Sequence, residues 1–218
     1  MVTPGMRLAD IGTDHAYVPI YLVEQGRIPS AIAMDINEGP LERAKEHIRR
    51  MGLEGKIKVR QSDGLWNLKK EEADSMIAAG MGGGLVIRIL SERQDTAKHM
   101  RECILQPQSE IKKVREYLCG HGFTIVEEEM VLEDGKYYPM MKAVPGDALQ
   151  YTDAELQYGK LLLEMSHPVL KSFLERERAG AKKVAEGLAE QSSGRAGLRA
   201  GEMAEKIRQI EALLYRYF

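Results

Sequence analysis

Four successive strand-like segments of the chain end in residues that could bind a ligand. Asp10 closes the first segment, and Gly12 with a tight polar turn then leads into a helix. Asp35 closes the second segment, the third ends in Gln61-Ser62-Asp63-Gly64, and the fourth ends in the glycine cluster Ala79-Gly80-Met81-Gly82-Gly83-Gly84. In a doubly wound sheet these ends face one crevice, where the second acid falls beside the hydroxyl groups of a ribose. The pattern indicates a site for a nucleoside cofactor.

The glycines indicate which nucleoside cofactor this crevice would take. A dinucleotide site uses the spacing Gly-x-Gly-x-x-Gly, so that bare backbone N–H groups and a helix N-terminus face the pyrophosphate. Here Gly12 is followed by Asp14 instead of a second glycine, and its carboxylate would repel a pyrophosphate at close range. S-adenosyl-L-methionine has no phosphate, and acids favour its cationic sulfonium and α-ammonium groups. The acidic rim therefore favours S-adenosyl-L-methionine over NAD.

The acids at the strand ends are assigned to different parts of that cofactor. We expect Asp35 to bind the ribose, because it lies opposite the first glycine turn; a solvated helix cap is the alternative. Asp10 is placed nearer the methionine moiety, although it could instead anchor the loop. Asp63, with Ser62 beside it, suits the exocyclic amine of adenine, again with a helix cap as the alternative. The predicted cofactor-binding residues are Asp10, Gly12, Asp35, Ser62, Asp63, Gly64 and Gly80.

These motifs resemble those of a known family. Residues 10–19, Asp35, Ser62-Asp63-Gly64 and residues 79–83 are similar to motifs of the TrmK family, bacterial tRNA (adenine-22, N1) methyltransferases that use S-adenosyl-L-methionine. Residues 104–109, 133–138 and 155–159 also look like that family, so the resemblance covers nearly the whole chain in order. It implies a class I methyltransferase fold and tRNA as the substrate. Family members carry a helical segment before the first strand, whereas this sequence offers residues 1–6, which leaves part of the expected substrate-side lid unassigned.

If the target is N1 of adenine, Asp14 becomes the candidate catalytic residue. N1 carries an in-plane lone pair, so it needs no deprotonation before attack, and the methylated base leaves as a cation. A nearby carboxylate would stabilise the developing charge. We therefore expect Asp14 to act as this electrostatic group or as a partner for the adenine amine. His15, next to it, is a candidate substrate contact, with a structural role in the loop backbone as the alternative.

The fourth strand end bears on which adenine atom is methylated. Adenine N6 methyltransferases place a polar-Pro-Pro-aromatic tetrapeptide there, and the glycine cluster from Gly80 to Gly84 replaces it. Small residues leave room for a base beside the methyl group, so that catalysis comes mainly from proximity and alignment. Because N1 lies on the pairing edge, the base must be unpaired or drawn out of its stack. We expect Met81 and Gly82 to contact this base and Tyr17 to stack on it, with packing as the alternative for Tyr17.

Composition limits the partners. The 31 lysine and arginine residues against 33 acidic residues give a formal net charge of −2, so any RNA must bind through a local basic face. The sequence shows no signal peptide and no apolar run near the roughly 20 residues of a membrane span, which favours a cytoplasmic protein. Its two cysteines form no motif, so we expect no metal site. A small-molecule methyltransferase and a non-catalytic RNA- or protein-binding module stay open as alternatives, as does the oligomeric state.

The elements that position these residues follow from the alternation of strand and helix patterns. Strands are predicted at residues 7–11, 31–36, 57–61, 75–79 and 102–106, and helices at 17–25, 39–51, 85–92 and 109–119, with Asn37 and Ser109 as caps. Two β-rich runs, 124–132 and 137–144, flank Asp134-Gly135, which predicts a hairpin. The fold class is therefore α/β, a Rossmann-like doubly wound class I methyltransferase sheet that ends in an antiparallel hairpin and forms a domain of residues 1–146.

Residues 147–218 are predicted to form a separate C-terminal helical hairpin, similar to a coiled coil. One seam contains Leu170, Leu174, Ala181, Val184 and Leu188, and the other contains Met203, Ile207, Ile210, Leu214 and Tyr217. The expected tRNA contacts on this hairpin are Lys182, Lys183, Arg195 and Arg199. Acidic residues are interleaved with these basic residues, so a solvated face is the alternative to a tRNA-binding face. A stabilising or dimerising coiled coil is a second alternative for the hairpin.

Overall fold

The computed structural model of the chain describes residues 1–147, 149–189 and 194–218, and only the backbone of Ala189, Gly194, Arg195 and Ala196. The predicted tRNA contact Arg195 thus has its side chain outside the described part of the structure. Two compact units are present, one of Met1–Glu129 with Tyr138–Gln157 and one of Met130–Tyr137 with Tyr158–Phe218. The first is called the sheet unit below, and the second is called the helical unit.

A seven-stranded mixed sheet is the frame of the sheet unit. The strands are β1 (Leu8–Ile11), β2 (Ala31–Asp35), β3 (Ile57–Gln61), β4 (Ser75–Met81), β5 (Glu102–Pro107), β6 (Phe123–Glu133) and β7 (Lys136–Pro145). Their spatial order is β3-β2-β1-β4-β5-β7-β6. β1 to β5 pair in parallel and β7 runs antiparallel to β5. The predicted fold class is confirmed.

Helices flank the strands, and the central strands β1, β2, β4 and β5 are buried over most of their length. They are α1 (Tyr17–Glu24), α2 (Glu38–Arg50), α3 (Gly83–Glu92), α4 (Gln94–Ala97) and α5 (Ile111–Gly120). In the core, Ile20 and Val23 of α1 and Ala44 and Ile48 of α2 cluster with Leu8 of β1. The predicted strands and long helices are all present with small shifts at their ends. Hydrophobic periodicity is a stronger signal in the sequence than the residues that mark where an element begins or ends.

Neither predicted helix cap forms. Asn37 precedes α2, but its side chain makes no capping hydrogen bond. Helix α5 begins at Ile111, after Glu110 in the left-handed region at φ 51°. Ser109 lies outside that helix, because its carbonyl accepts a hydrogen bond from Gly83 N–H at 3.1 Å. At Ser109, this contact with a neighbouring segment competes with the local cap.

The hairpin between β6 and β7 turns at Asp134 and Gly135, with φ of 49° and 72°. Two successive positive φ angles are what the predicted Asp-Gly turn requires. The tip of this hairpin belongs to the helical unit. There the Tyr137 ring lies edge-on to Phe173 at 5.0 Å and under the Arg176 guanidinium, while its hydroxyl is 3.1 Å from Ser172 Oγ.

The sheet unit, in turn, extends past the boundary predicted at residue 146, as far as Gln157. Arg115 on α5 explains this, since its guanidinium is buried and needs several acceptors. It donates to Glu128 Oε1 at 2.8 Å and to the carbonyls of Leu156 and Gln157 at 3.0 and 3.2 Å. A division at residue 146 would separate Arg115 from two of its three partners.

The helical unit contains α6 (Asp153–Tyr158) in part, α7 (Lys160–Glu164), α8 (Pro168–Ala189) and α9 (Gly194–Tyr217). α8 and α9 run antiparallel, since Ser166, just before α8, donates to the carbonyl of Tyr217 at the end of α9. The predicted seam residues Leu170, Leu174, Ala181 and Ile210 are buried. Val184 is wrongly placed on that seam, because 46% of it is exposed.

Candidate active site

The carboxyl ends of the parallel strands meet at one edge of the sheet, as predicted. Ile11 of β1 pairs with Met34 of β2 and with Ala78 of β4, which places the following residues of the three strands side by side. Asp35 pairs in turn with Gln61 of β3. Because α1 returns the chain to β2 on one side of β1 and β4 lies on the other side, β1 and β4 flank the switch point where such sheets bind ligands.

Gly12 brings the backbone close to the neighbouring strands. Its φ is 76°, in the left-handed region, and its N–H donates to Met34 O at 2.8 Å. A Cβ added here would lie 2.8 Å from Met81 Cε. A side chain would therefore strain the backbone and displace Met81, a predicted substrate contact. This glycine leaves the crevice open between β1 and β4.

Asp10 is a buried carboxylate at this edge, with 8% of the residue exposed. Burial raises the pKa of Asp10 to about 6, and the Thr13 hydroxyl opposes that shift. Thr13 is itself buried, and its Oγ1 makes no well-formed hydrogen bond within the described part of the structure. A desolvated carboxylate next to an unsatisfied hydroxyl suits a cationic ligand that also offers or accepts a hydrogen bond.

Replacing Asp10 with asparagine is expected to stabilise the cofactor-free protein at neutral pH. The folded-state pKa of about 6 exceeds the ordinary value of 3.8, so the unfolded chain loses this proton first. Wild-type stability therefore falls by about 3 kcal/mol as the pH rises from 4 to 6, and the variant lacks this loss. Urea unfolding of both proteins at pH 4 and pH 7.5 measures it. Equal stability at pH 7.5 would show that Asp10 is not destabilised by burial.

Asp35 ends β2 and has one oxygen engaged. Its Oδ1 accepts a hydrogen bond from Asn37 N–H at 2.7 Å. No other hydrogen bond to this carboxylate comes from the residues that the structure describes. The turn is thus held by one oxygen, and the other is left for a donor such as a ribose hydroxyl. The helix-cap alternative explains only the bond to Asn37.

The loop after β3 differs from its prediction in its hydrogen bonding. Both oxygens of Asp63 are bound by the Arg88 guanidinium of α3, at 2.7 and 3.1 Å. Ser62 Oγ donates to Gly64 O at 2.8 Å and accepts from Asn67 N–H at 3.0 Å. Ser62 and Gly64 therefore shape the turn, and Asp63 can accept from adenine only with Arg88 already bound to it. Arg88 was not predicted from the sequence, because nothing local links it to Asp63.

Residues at the end of β5 and just after it brace the glycine cluster. Gly80 has a φ of 74°, and its N–H donates to Gln106 Oε1 at 2.9 Å. A Cβ at Gly83 would lie only 2.4 Å from Ser109 O, so this glycine is required for packing. Between them, Met81 is half-buried and Gly82 is exposed, as a contact for an incoming base requires. Gln106 is a further residue that the sequence analysis missed.

The loop from Asp14 to Tyr17 lies at the end of β1. The Asp14 side chain is 60% exposed and is bound by Arg43 of α2 through Oδ1 alone, at 2.8 and 3.0 Å. His15 stacks on Tyr17 with 5.2 Å between ring centroids. Tyr17 is exposed at the start of α1, so its ring is accessible for stacking.

The predicted tRNA contacts on α8 and α9 differ in their pairing. Lys182 Nζ lies 3.0 Å from Glu211 Oε1, so part of its charge is already neutralised. Lys183 and Arg199 are exposed. These two are the stronger candidates for binding phosphates.

Within the ranges that the structure describes, no three or more histidine, cysteine, aspartate or glutamate side chains are grouped to hold a metal ion. Over the same ranges, no helix has the length and apolar character needed to cross a bilayer.

This site fits a cationic ligand without phosphate groups better than it fits a dinucleotide. The acids at the ends of β1 and β2, the buried Thr13 hydroxyl and the single Gly12 turn form no cradle for a pyrophosphate. Together with a mostly parallel sheet closed by an antiparallel hairpin, they define a class I S-adenosyl-L-methionine-dependent methyltransferase.

Known proteins identify the family. Residues 8–212 match the model of TrmK, tRNA (adenine(22)-N(1))-methyltransferase. The chain is 40% identical over 159 residues to the tRNA (adenine(22)-N(1))-methyltransferase of Bacillus subtilis, which covers 72% of this chain and 67% of that protein. The chain belongs to the TrmK family of tRNA (adenine(22)-N(1))-methyltransferases.

Solved structures agree with this assignment. A Streptococcus pneumoniae protein in complex with S-adenosyl-L-methionine has a TM-score of 0.84 at 33% identity, covering 97% of this chain and 94% of that one. M. capricolum TrmK in complex with S-adenosyl-homocysteine has a TM-score of 0.84 at 25% identity, covering 100% and 95%. The predictions of family, enzyme class, function and cofactor are confirmed.

Proposed function

We propose that the crevice at the ends of β1, β2 and β4 holds S-adenosyl-L-methionine and that adenine 22 of a tRNA enters beside Met81 and Gly82. The observation that carries this proposal is the set of carboxylates at the strand ends, without a pyrophosphate cradle. The bound cofactor supplies the methyl group, and the protein supplies alignment and electrostatic stabilisation. No residue needs to act as a base on N1 before attack.

On the cofactor side, Asp35 binds the ribose through the oxygen that Asn37 does not use. Asp10 and Thr13 face the cationic methionine end, where an ammonium group would keep the buried Asp10 carboxylate ionised. Gly12 and Gly80 let the backbone approach closely, since both have positive φ. Asp63 stays paired with Arg88 while it accepts from the adenine amine of the cofactor.

On the substrate side, Asp14 offers its Oδ2, which receives no hydrogen bond from the residues that the structure describes, to the amine of the target adenine. The same carboxylate stabilises the positive charge that the base acquires on methylation. Tyr17 stacks on the base, which has to leave its helix to expose N1. His15 supports Tyr17 by stacking on it.

For the rest of the tRNA, we assign Lys183 and Arg199 of the helical unit to phosphate contacts, with Lys182 and Arg195 as weaker candidates. Their charges supply the local basic face that a protein with a net charge of −2 needs for RNA binding. A tRNA substrate also supports a cytoplasmic location.

Primer extension on unmodified tRNA, after incubation with the protein and S-adenosyl-L-methionine, tests the function. Methylation of N1 blocks base pairing, so the polymerase is expected to stop at nucleotide 22. A second measurement, of cofactor turnover, separates two alternatives. A small-molecule methyltransferase would turn over cofactor in an RNase-treated cell extract, and a non-catalytic binding module would produce no turnover and no stop.

Replacing Asp35 with asparagine is expected to weaken S-adenosyl-L-methionine binding by about 1.5–3 kcal/mol, because a charge-assisted hydrogen bond to the ribose is lost. The asparagine Oδ1 can still accept from Asn37 N–H, so the turn is preserved. Calorimetry on the variant measures the affinity, with circular dichroism as the control for folding. Unchanged affinity in the folded variant would refute the ribose assignment.

A further inference from the structure

Two side chains of α2, one helical turn apart, bind the loop that carries Asp14. Arg43 donates to Asp14 Oδ1 from Nε at 3.0 Å and from an Nη at 2.8 Å. His47 Nδ1 lies 2.8 Å from the carbonyl oxygen of His15. Since a carbonyl only accepts, this nitrogen carries the hydrogen. One face of α2 thus holds both a side chain and the backbone of this loop.

The loop needs such support. His15 and Ala16 have φ angles of 59° and 55°, so two successive residues other than glycine adopt the left-handed conformation. Such a residue is strained, and it persists only where neighbouring structure imposes its conformation. The Tyr17 ring meets the edge of His47 at 5.0 Å and stacks on His15. His47 therefore contacts the strained turn twice, at the carbonyl oxygen of His15 and at the ring of Tyr17.

We infer that Arg43 and His47 are positioning residues for methyl transfer, fixing Asp14 and Tyr17 in the geometry that the target adenine meets. This inference rests on the proposed roles of Asp14 and Tyr17. Neither residue needs to touch the adenine or the cofactor.

The hydrogen-bond pattern of Asp14 supports positioning over simple neutralisation. Both Arg43 bonds end on Oδ1, and His15 Nε2 lies 3.7 Å from the same oxygen. One oxygen therefore anchors the carboxylate, while Oδ2 is available for the adenine amine. A freely rotating carboxylate would present either oxygen in many orientations, and misplacement of a reacting group by about 1 Å costs up to 100-fold in rate.

Arg43→Gln tests the side-chain contact. We expect the single-turnover rate with saturating tRNA and cofactor to fall by about 10- to 100-fold. We also expect the KM for tRNA and the calorimetric affinity for S-adenosyl-L-methionine to change less than twofold. Arg50→Gln is the matched control, since Arg50 lies on the same helix and pairs with Glu46 instead of the loop. An unchanged rate, or a raised KM at an unchanged rate, which would indicate a phosphate contact, overturns the inference.

A double-mutant cycle asks whether Arg43 acts through Asp14. If it does, Arg43→Gln in an Asp14→Ala background, where Arg43 has no side-chain oxygen to bind, lowers the rate less than twofold further. Independent, multiplying effects overturn the inference, as does an Asp14→Ala variant with the wild-type rate. Failure of the proposed function is recognised separately: the wild-type protein would then give no stop at nucleotide 22.

His47 offers a rescue experiment. Leucine removes the donor to His15 O, whereas asparagine can place an N–H where Nδ1 stood. We expect His47→Leu to lower the rate about 10-fold and His47→Asn to stay within about threefold of wild type. Asparagine is the poorer helix former of the two, so a helix-stability effect predicts the opposite order. Equal losses in both variants, or a wild-type rate in His47→Leu, overturn the role of this hydrogen bond.

Discussion

Reversing Lys183 and Arg199 together to glutamate is expected to abolish methylation of tRNA while the affinity for S-adenosyl-L-methionine stays unchanged. Both side chains are exposed on the helical unit, so glutamates there cost little folding energy. Each lost phosphate contact removes the release of about one counterion, so the slope of log binding constant against log salt should flatten by about 1.5 to 2 units. Filter binding at several salt concentrations measures the slope.

The choice of these two residues follows from the pairing in the helical unit. Reversing Lys182 would also place two glutamates together, because Lys182 pairs with Glu211 at 3.0 Å. A double reversal of Lys58 and Lys171 is the matched control, since it changes the net charge equally and both side chains are exposed. Full activity of the Lys183 and Arg199 variant would reduce the hairpin to a stabilising or dimerising role.

Local patterns predicted the elements and the edge of the sheet at which the candidate site lies. An apolar strand that ends in an acid or a glycine is visible within a few residues, as at Asp35 and Gly12. The order of such segments then fixes which ends meet, because parallel strands joined by helices place their carboxyl ends at one edge. The Asp134-Gly135 turn was likewise predictable, since few dipeptides tolerate two positive φ angles.

Partners distant in sequence were not predictable. Asp63 is bound by Arg88, and Asp14 by Arg43, through packing between elements that no local pattern specifies. Consequently the sequence identified the acids and left out the arginines that hold them. The same limit explains the domain boundary, because the buried Arg115 takes its acceptors from Leu156 and Gln157, about forty residues away. The buried guanidinium needs these acceptors, so the sheet unit extends beyond residue 146, where the composition of the chain changes.

These arginines change what the acids can do. A carboxylate that is free in solution rotates and binds water, whereas one held by a guanidinium keeps a fixed orientation in advance of binding. Asp63 is held through both oxygens and Asp14 through one. The difference suits their proposed tasks, since Asp14 has to stabilise a positive charge that appears only during the reaction.

Asp14→Asn is expected to lower the single-turnover rate by about 10- to 1000-fold with tRNA saturating, because the variant keeps the shape of the side chain and loses its charge. Affinity for S-adenosyl-L-methionine is expected to survive. The Asn Oδ1 can still accept from Arg43, so the loop stays anchored. Rapid quench measures the rate, and Asp134→Asn, at the exposed hairpin turn, is the control for loss of one surface charge.

A modified substrate separates the two tasks proposed for Asp14. In a tRNA that carries purine at position 22, N1 is kept and the exocyclic amine is missing. If Asp14 acts mainly by accepting from that amine, Asp14→Asn has little effect on this substrate. If it acts mainly on the charge of the methylated base, the loss persists, since purine also becomes cationic when N1 is methylated. A wild-type rate for the variant on unmodified tRNA would refute both tasks, and Asp14 would then only hold the loop through Arg43.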